Sequence, residues 1–201
     1  MLLARSTVSF SLIKPGPIYV AGERVYPGPR WTYEEIQVSK WDGLQEKEMR
    51  MLYAAAWKGN ADLMKTVDPA AHSLLVRYAQ DRLDLDFHRL LDMHERVWVA
   101  RVRGRIIGMV CLLKGGELKK LAVDPMAVGI GAASKLVAVL EKYCKAKYGR
   151  VYLETGSFMP LALRFYHRHG YKFLGYRMYP NALSENGRGV GVARFEKEFH
   201  S

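Results

Sequence analysis

The spacing of apolar residues changes character near residue 96. From Leu44 to Glu95 it is helical: Leu44, Met51, Leu52 and Ala55 form a stripe that Gly59-Asn60 interrupts. Asp68 before Pro69 reads as an N-cap with proline at the first helical position, and Leu74, Leu75 and Tyr78 supply the next stripe. A third, short helix carries Phe87, Leu90 and Leu91. Beyond that point Val97 to Val102, Arg105 to Leu113 and Glu117 to Val123 read as strands, with Gly104 and Gly115-Gly116 as the turns between them. A helix from about Gly131 to Tyr148 places Leu136, Val139, Leu140 and Tyr143 on one face and stops at Gly149. Val151 to Glu154 is a strand, Leu161 to His169 a short helix ended by Gly170, and Tyr171 to Tyr176 and Val190 to Phe199 are closing strands.

The first 22 residues hold no acid, a few bases and several serines. A transit peptide would show that pattern, but no apolar core or cleavage site follows, so Thr7 to Ile13 is read as an opening strand ended by Pro15, Gly16 and Pro17. The pattern divides the chain into an N-terminal segment (1–42), a helical region (43–95) and a strand-rich core (96–201), together one α/β domain.

Composition narrows the class. With 201 residues, 49% of them apolar and 25% charged, the chain is neither disordered nor fibrous. Its longest apolar run, Ile106 to Leu113, is strand-sized, which argues against a membrane span. Cys111 and Cys144 form no framework or CxxC pair, so a reducing, cytoplasmic setting is expected. Charge is unevenly placed: residues 1–95 hold 12 basic and 13 acidic side chains, residues 96–201 hold 19 and 7. The C-terminal half is suited to an anion: a phosphorylated cofactor, a nucleic acid or an acidic surface.

The segment Glu117 to Ser134 runs from a strand through a Pro- and Gly-containing turn into a helix. Glycines let a ligand approach the backbone, and the first helical turn adds unpaired N–H groups and the positive end of the helix dipole, a cradle for a pyrophosphate. Here Val123-Asp124-Pro125 followed by Gly129-Ile130-Gly131-Ala132-Ala133 resembles the acetyl-CoA motif of the GNAT superfamily of N-acetyltransferases. Gly131 and Ala133 satisfy its last fixed positions, Gly129 matches a frequent extra glycine, and Val128 departs from the usual Arg or Gln. Downstream, Leu153-Glu-Thr-Gly156, Pro160 and Ala162-Leu-Arg-Phe-Tyr-His-Arg-His-Gly-Tyr171 look like the family's second conserved stretch, and Phe195 to Phe199 like its last strand.

The resemblance implies a mixed, largely antiparallel central sheet with flanking helices in a single domain. It implies acetyl-CoA as acetyl donor, held by Leu121, Ala122, Val123 and the Val128, Gly129, Ile130, Gly131, Ala132, Ala133, Ser134 turn, with Tyr166 beside the sulfur. Tyr166 is the candidate acid for the leaving thiolate, since a phenol with a pKa of about 10 suits a thiolate of similar basicity. Glu117 stands where some members carry a general base acting through water. The N–H of Val123 would polarise the acetyl carbonyl. Neither cysteine has a base placed to activate it, so direct attack in a ternary complex is expected. His167 and His169 at i and i+2 face apart on a helix, and the Asp84, Asp86, His88 run is equally poor, so no metal is expected.

The resemblance also implies that the early helices and the connection around Tyr179 to Arg188 frame the acceptor. Acidic helices favour a small amine or a protein amine. The basic half favours an aminoacyl-tRNA, as some family toxins use. A module that binds acyl-CoA or nucleic acid without catalysis is the non-enzymatic alternative. No membrane partner is expected, and a homodimer remains open.

Overall fold

The computed structural model describes residues 19–20, 23–24, 31–67, 69–81, 83–179 and 190–200. The expected strand at Thr7 to Ile13, the N-cap at Asp68 and most of the Tyr179–Arg188 connection lie outside them. β1 (Tyr19–Val20) and β2 (Glu23–Arg24) pair as a two-residue hairpin. β3 (Gln37–Lys40) leads to three helices, α1 (Glu46–Val67), α2 (Pro69–Asp81) and α3 (Leu83–Met93). β4 (His94–Val102), β5 (Arg105–Leu113) and β6 (Glu117–Val123) form a meander. Then come α4 (Ala132–Lys147), β7 (Arg150–Gly156), α5 (Pro160–Arg168), β8 (Lys172–Tyr179) and β9 (Val190–Glu198). Seven strands form one sheet in the order β3-β4-β5-β6-β7-β9-β8, antiparallel at every step except β6 to β7. The mixed, largely antiparallel α/β sheet is as expected.

Two expectations about the helices fail. Gly59-Asn60 does not interrupt α1, which runs unbroken for 22 residues. One glycine costs a helix interior about 1 kcal/mol, and burial of Met49, Leu52, Tyr53, Ala61, Leu63 and Met64 along the same helix outweighs it. Of the expected stripe Leu52 is buried, but Leu44 and Met51 are exposed, and Met49 and Tyr53 join Leu52 in facing the sheet. The expected boundary at residue 96 falls inside β4, and the sheet continues across it.

The sheet is covered on both faces. On one, α4 and α5 bury Leu136, Val137, Leu140 and Tyr166 against Val110, Leu112, Leu153 and Phe195. On the other, α1 and α3 bury Met49, Tyr53 and Phe87 against Val99, Met109, Cys111 and Ala122. Glu95, at the start of β4, accepts hydrogen bonds from Tyr143 (2.6 Å), Lys147 (2.7 Å) and Tyr148, pinning the end of α4 to the sheet.

β6 carries the irregularity that shapes the site. Met109 faces Ala122 and Cys111 faces Lys119, so Lys120 and Leu121 together oppose Val110 alone. This bulge puts Lys120 at φ 53°, a left-handed conformation that costs a lysine of order 1 kcal/mol. It also turns Lys119 and Lys120 together to the face covered by α1 and α3, where strict alternation would separate them.

Candidate active site

β6 and β7 are neighbours joined at one point. Glu117 lies opposite Tyr152, and the Tyr152 N–H donates to Gly116 O at 3.1 Å. Beyond this pair the two parallel strands share no further register among the described residues, β6 running on to Val123 and β7 to Gly156. A gap therefore opens in the middle of the sheet, with edges of unpaired backbone. The Asp124 N–H donates to Ile107 O at 2.9 Å, on the β5 side. By strand alternation the N–H of Val123 faces the opposite way, into the gap.

At the open end β6 passes into α4 through a turn held by Asp124. Its Oδ1 accepts the Met126 N–H at 2.8 Å and its Oδ2 accepts from Arg105 at 2.8 Å, so this nearly buried acid caps a 3₁₀ turn over Pro125–Ala127. Gly129 and Gly131 follow, with φ of 93° and 90°. Lys135 N–H, bonded to Gly131 O at 3.0 Å, is the first in α4 with a helical partner, leaving those of Ala132, Ala133 and Ser134 as the orphans of the first turn. A diphosphate suits this turn: donors point outward, the glycines admit close approach, and Asp124 is already neutralised by Arg105.

Val128 belongs to this turn by position only. Its side chain packs against the cluster of Ala61, Leu63, Met64 and Leu75 from α1 and α2, on which Phe158 and Leu161 also pack. Apolar packing that ties the turn to the helical hairpin thus replaces the Arg or Gln of the motif. The nearby Lys135 ammonium is engaged by Tyr33 O at 2.8 Å and Ile36 O at 3.0 Å and lies 4.0 Å from the Tyr33 ring centroid. Tyr33 in turn lies against Gly131, where a Cβ would stand 2.6 Å from its ring. Neither Tyr33 nor the Asp124–Arg105 pair was singled out from the sequence. Asp124 preceding proline, the usual capping pattern, was the available signal.

The second edge leads to Tyr166. His169 at the end of α5 takes a hydrogen bond between Nε2 and Ser134 Oγ at 2.9 Å, while its Nδ1 lies 2.8 Å from Phe165 O. This link sets the end of α5 against the first turn of α4. Tyr166 is buried among Phe165, Tyr171 and Phe195, and burial pushes its phenol up, so it is held protonated. His169 is thereby a tether. Among the described residues no three His, Cys, Asp or Glu side chains stand together to hold a metal.

Glu117 stands at the root of the gap, on the face opposite α4. It lines a cavity of about 250 Å³ with Tyr152, Glu154, Leu174, Arg177 and Arg194, and Lys119 pairs with its carboxylate at 2.6 Å. Glu117 and Tyr166 thus lie on opposite faces of the sheet. Leu121 and Val123 pack toward α4, and Ala122 toward α1 and α3. Both cysteines are buried, which pushes the Cys111 thiol up and the Cys144 thiol to about 12. No helix among the described residues is long and apolar enough to cross a membrane.

The sequence profile of the acetyltransferase (GNAT) family matches residues 51–171. No curated protein matches the sequence. Solved structures share the fold at low identity. A GCN5-related N-acetyltransferase from Rhodopseudomonas palustris superposes with a TM-score of 0.63 at 17% identity, over 81% of this chain and 95% of its own. A GNAT family acetyltransferase from Elizabethkingia anophelis, solved with acetyl-CoA bound, gives 0.57 at 18% identity over 83% and 99%. An aminoglycoside 6'-acetyltransferase type Ii gives 0.59 at 19% over 82% and 98%.

Proposed function

Because the chain belongs to the acetyltransferase (GNAT) family, and so is an acyltransferase that uses acetyl-CoA, we propose that it transfers the acetyl group to a primary amine by direct attack with both substrates bound. The observation that carries this reading is the gap between β6 and β7, which opens toward the orphan N–H groups at the start of α4, with the protonated Tyr166 on the α4 face of the sheet.

Acetyl-CoA, when bound, supplies an activated carbonyl carbon. The N–H groups of Ala132, Ala133 and Ser134 hold its diphosphate at the start of α4. The Val123 N–H, facing the gap, donates to the carbonyl oxygen as negative charge develops there. Tyr166 gives its proton to the departing sulfur. Burial of both cysteines disfavours their thiolates and supports direct transfer over a cysteine relay. The acceptor amine arrives as an ammonium on the face of β6 opposite α4, where Glu117, in the wall of the cavity of about 250 Å³, is the sequence's candidate to take its proton.

A small amine or a protein amine is the acceptor we place first. Aminoacyl-tRNA is the second, on the observation that basic residues outnumber acidic ones 19 to 7 beyond residue 95. The test is incubation with acetyl-CoA and a panel of spermidine, tyramine, kanamycin, a lysine peptide and charged tRNA, following free thiol and product mass. Acetylated product from any of these supports the reading, and the product identifies the acceptor. Acetyl-CoA binding without transfer to any acceptor or to lysate components contradicts it.

A further inference from the structure

We propose that Lys120 is the side chain that takes the proton from the acceptor's ammonium, with Tyr78 and Asp86 governing its charge. The proposal rests on the reading of the gap as an amine-acetylating site, and it differs from that reading in giving the proton to Lys120 where the sequence suggests Glu117.

The bulge at Lys120 and Leu121 accepts backbone strain, and the Lys120 amine lies on the α1–α3 face of β6, the face on which the acceptor is proposed to bind. The Lys120 side chain is four-fifths buried. Its Nζ donates to the Tyr78 hydroxyl at 3.2 Å, and the Tyr78 hydroxyl donates to Asp86 Oδ2. Asp86 itself is 3.9 Å from Nζ, and the Tyr53 ring centroid 5.2 Å. The groups facing this amine are Tyr53 from α1, Tyr78 from α2, Asp86 and Arg89 from α3, Cys111 from β5 and Lys119 beside it on β6. A buried ammonium with one carboxylate at 3.9 Å and a neutral phenol is poorly compensated. Burial accordingly pushes the Lys120 amine down, Asp86 draws it partly back up, and Lys119 pushes it down again. Burial likewise keeps Tyr78 protonated and able to donate to Asp86. A cavity of about 140 Å³ lined by Asp86, Arg89, Met93, Leu113, Lys119 and Lys120 adjoins the amine and has room for water. Glu117, in contrast, is paired to Lys119 at 2.6 Å and sits at the closed root of the gap, where β6 and β7 are still joined.

The proton balance is complete. One ammonium proton passes to neutral Lys120, directly or through a water in the cavity, and leaves from there to solvent. The freed nitrogen lone pair forms the C–N bond as the C–S bond breaks. The second proton lost by nitrogen replaces the one Tyr166 gives to the sulfur. The products are an amide, a thiol and one proton in solvent.

The experiment measures kcat for thiol release across pH, at saturating acetyl-CoA and with the panel amine turned over fastest, for wild type, Lys120→Met, Lys120→Arg, Asp86→Asn and Glu117→Gln. Acetyl-CoA affinity by calorimetry serves as the measure of an intact fold. Both Lys120 variants are expected to lose about 10² to 10⁴ in kcat with acetyl-CoA affinity kept, since arginine retains charge but cannot give up its proton. Asp86→Asn removes the group that raises the Lys120 amine, so the acid limb of the kcat profile should move to lower pH, a shift that a purely structural role would not produce. Lys120→Met within about threefold of wild type, with Glu117→Gln strongly impaired, overturns the proposal in favour of Glu117. An unmoved acid limb in Asp86→Asn overturns it as well. A wild type that binds acetyl-CoA but acetylates nothing instead removes the amine-transfer reading, and this proposal with it.

Discussion

Replacing Gly131 by alanine tests the geometry at the start of α4. The residue sits at φ 90° and ψ 8°, where an L side chain costs about 1 kcal/mol. The new Cβ would stand 2.6 Å and 2.8 Å from Cδ2 and Cε2 of Tyr33. Tyr33 is half exposed, so its ring can swing away, but it then leaves the Lys135 ammonium now 4.0 Å from its centroid, a contact worth about 0.5–1 kcal/mol at an exposed site. Strain and lost contact together amount to roughly 2 kcal/mol, or a fall in Tm of about 4–8 °C for a chain of this size. Urea denaturation of wild type, Gly131→Ala, Tyr33→Ala and the double variant separates the two costs. With Tyr33 already truncated, Gly131→Ala should cost only the strain, about 1 kcal/mol, so the pair should couple by a similar amount. A Gly131→Ala protein as stable as wild type would refute the left-handed turn. Strict additivity would refute the seating of Tyr33 on Gly131.

Tyr166→Phe should keep fold and acetyl-CoA affinity and lower kcat by about 10² to 10⁴, because only the proton donor is lost; steady-state thiol release checks it, and full turnover would leave Tyr166 as a packing residue. Asp124→Ala removes a nearly buried cap and strands Arg105, so stability should fall by about 2 kcal/mol and acetyl-CoA affinity with it, as denaturation and calorimetry would show. At Glu95, desolvation pushes the carboxyl up, but hydrogen bonds from Lys147, Tyr143 and Tyr148 outweigh it and hold the group down at about 2. A carboxyl lowered in this way contributes stability that is present above its ordinary value of 4.5 and is lost as pH falls toward 2. The stability gap between wild type and Glu95→Gln, about 2 kcal/mol at neutral pH, should therefore narrow as pH falls below 4.5 and close only below about pH 2 in denaturation midpoints.

Two strands of the meander were legible to the residue, while β4 begins at His94, three residues before the expected Val97. β5 and β6 begin and end where the sequence places them, because Gly104, Gly115 and Gly116 take positive φ at the turns and apolar residues fill the strands between. α4 was nearly as clear, with Gly149 at φ 70° donating its N–H to Cys144 O as a C′ stop. The helical region was read less well, for two physical reasons. Glycine weakens a helix by an amount that tertiary burial easily exceeds, so Gly59 marked no end. Apolar residues lie on more than one face of α1, and only packing against the sheet puts Met49 and Tyr53 beside the expected Leu52 and leaves Met51 exposed. The glycines of the cradle were visible as a motif, whereas the reason for Val128, its packing against Leu63, Met64 and Leu75, is a contact between distant segments. Lys120 escaped notice because a lysine in a strand reads as solvent-facing. The Lys119-Lys120 doublet broke the alternation of β6, and that was the trace the bulge left in the sequence.

The most direct test of the account is calorimetric titration of acetyl-CoA into the wild-type protein and into Gly131→Asp, with fold checked by circular dichroism. The account predicts saturable one-to-one binding by the wild type. It also predicts a loss of at least about tenfold in the variant, which puts a negative charge at the residue next to the orphan N–H groups and a Cβ against Tyr33 in a left-handed turn. No binding by wild type at millimolar acetyl-CoA, or equal affinity in both proteins, would contradict a diphosphate site at the start of α4.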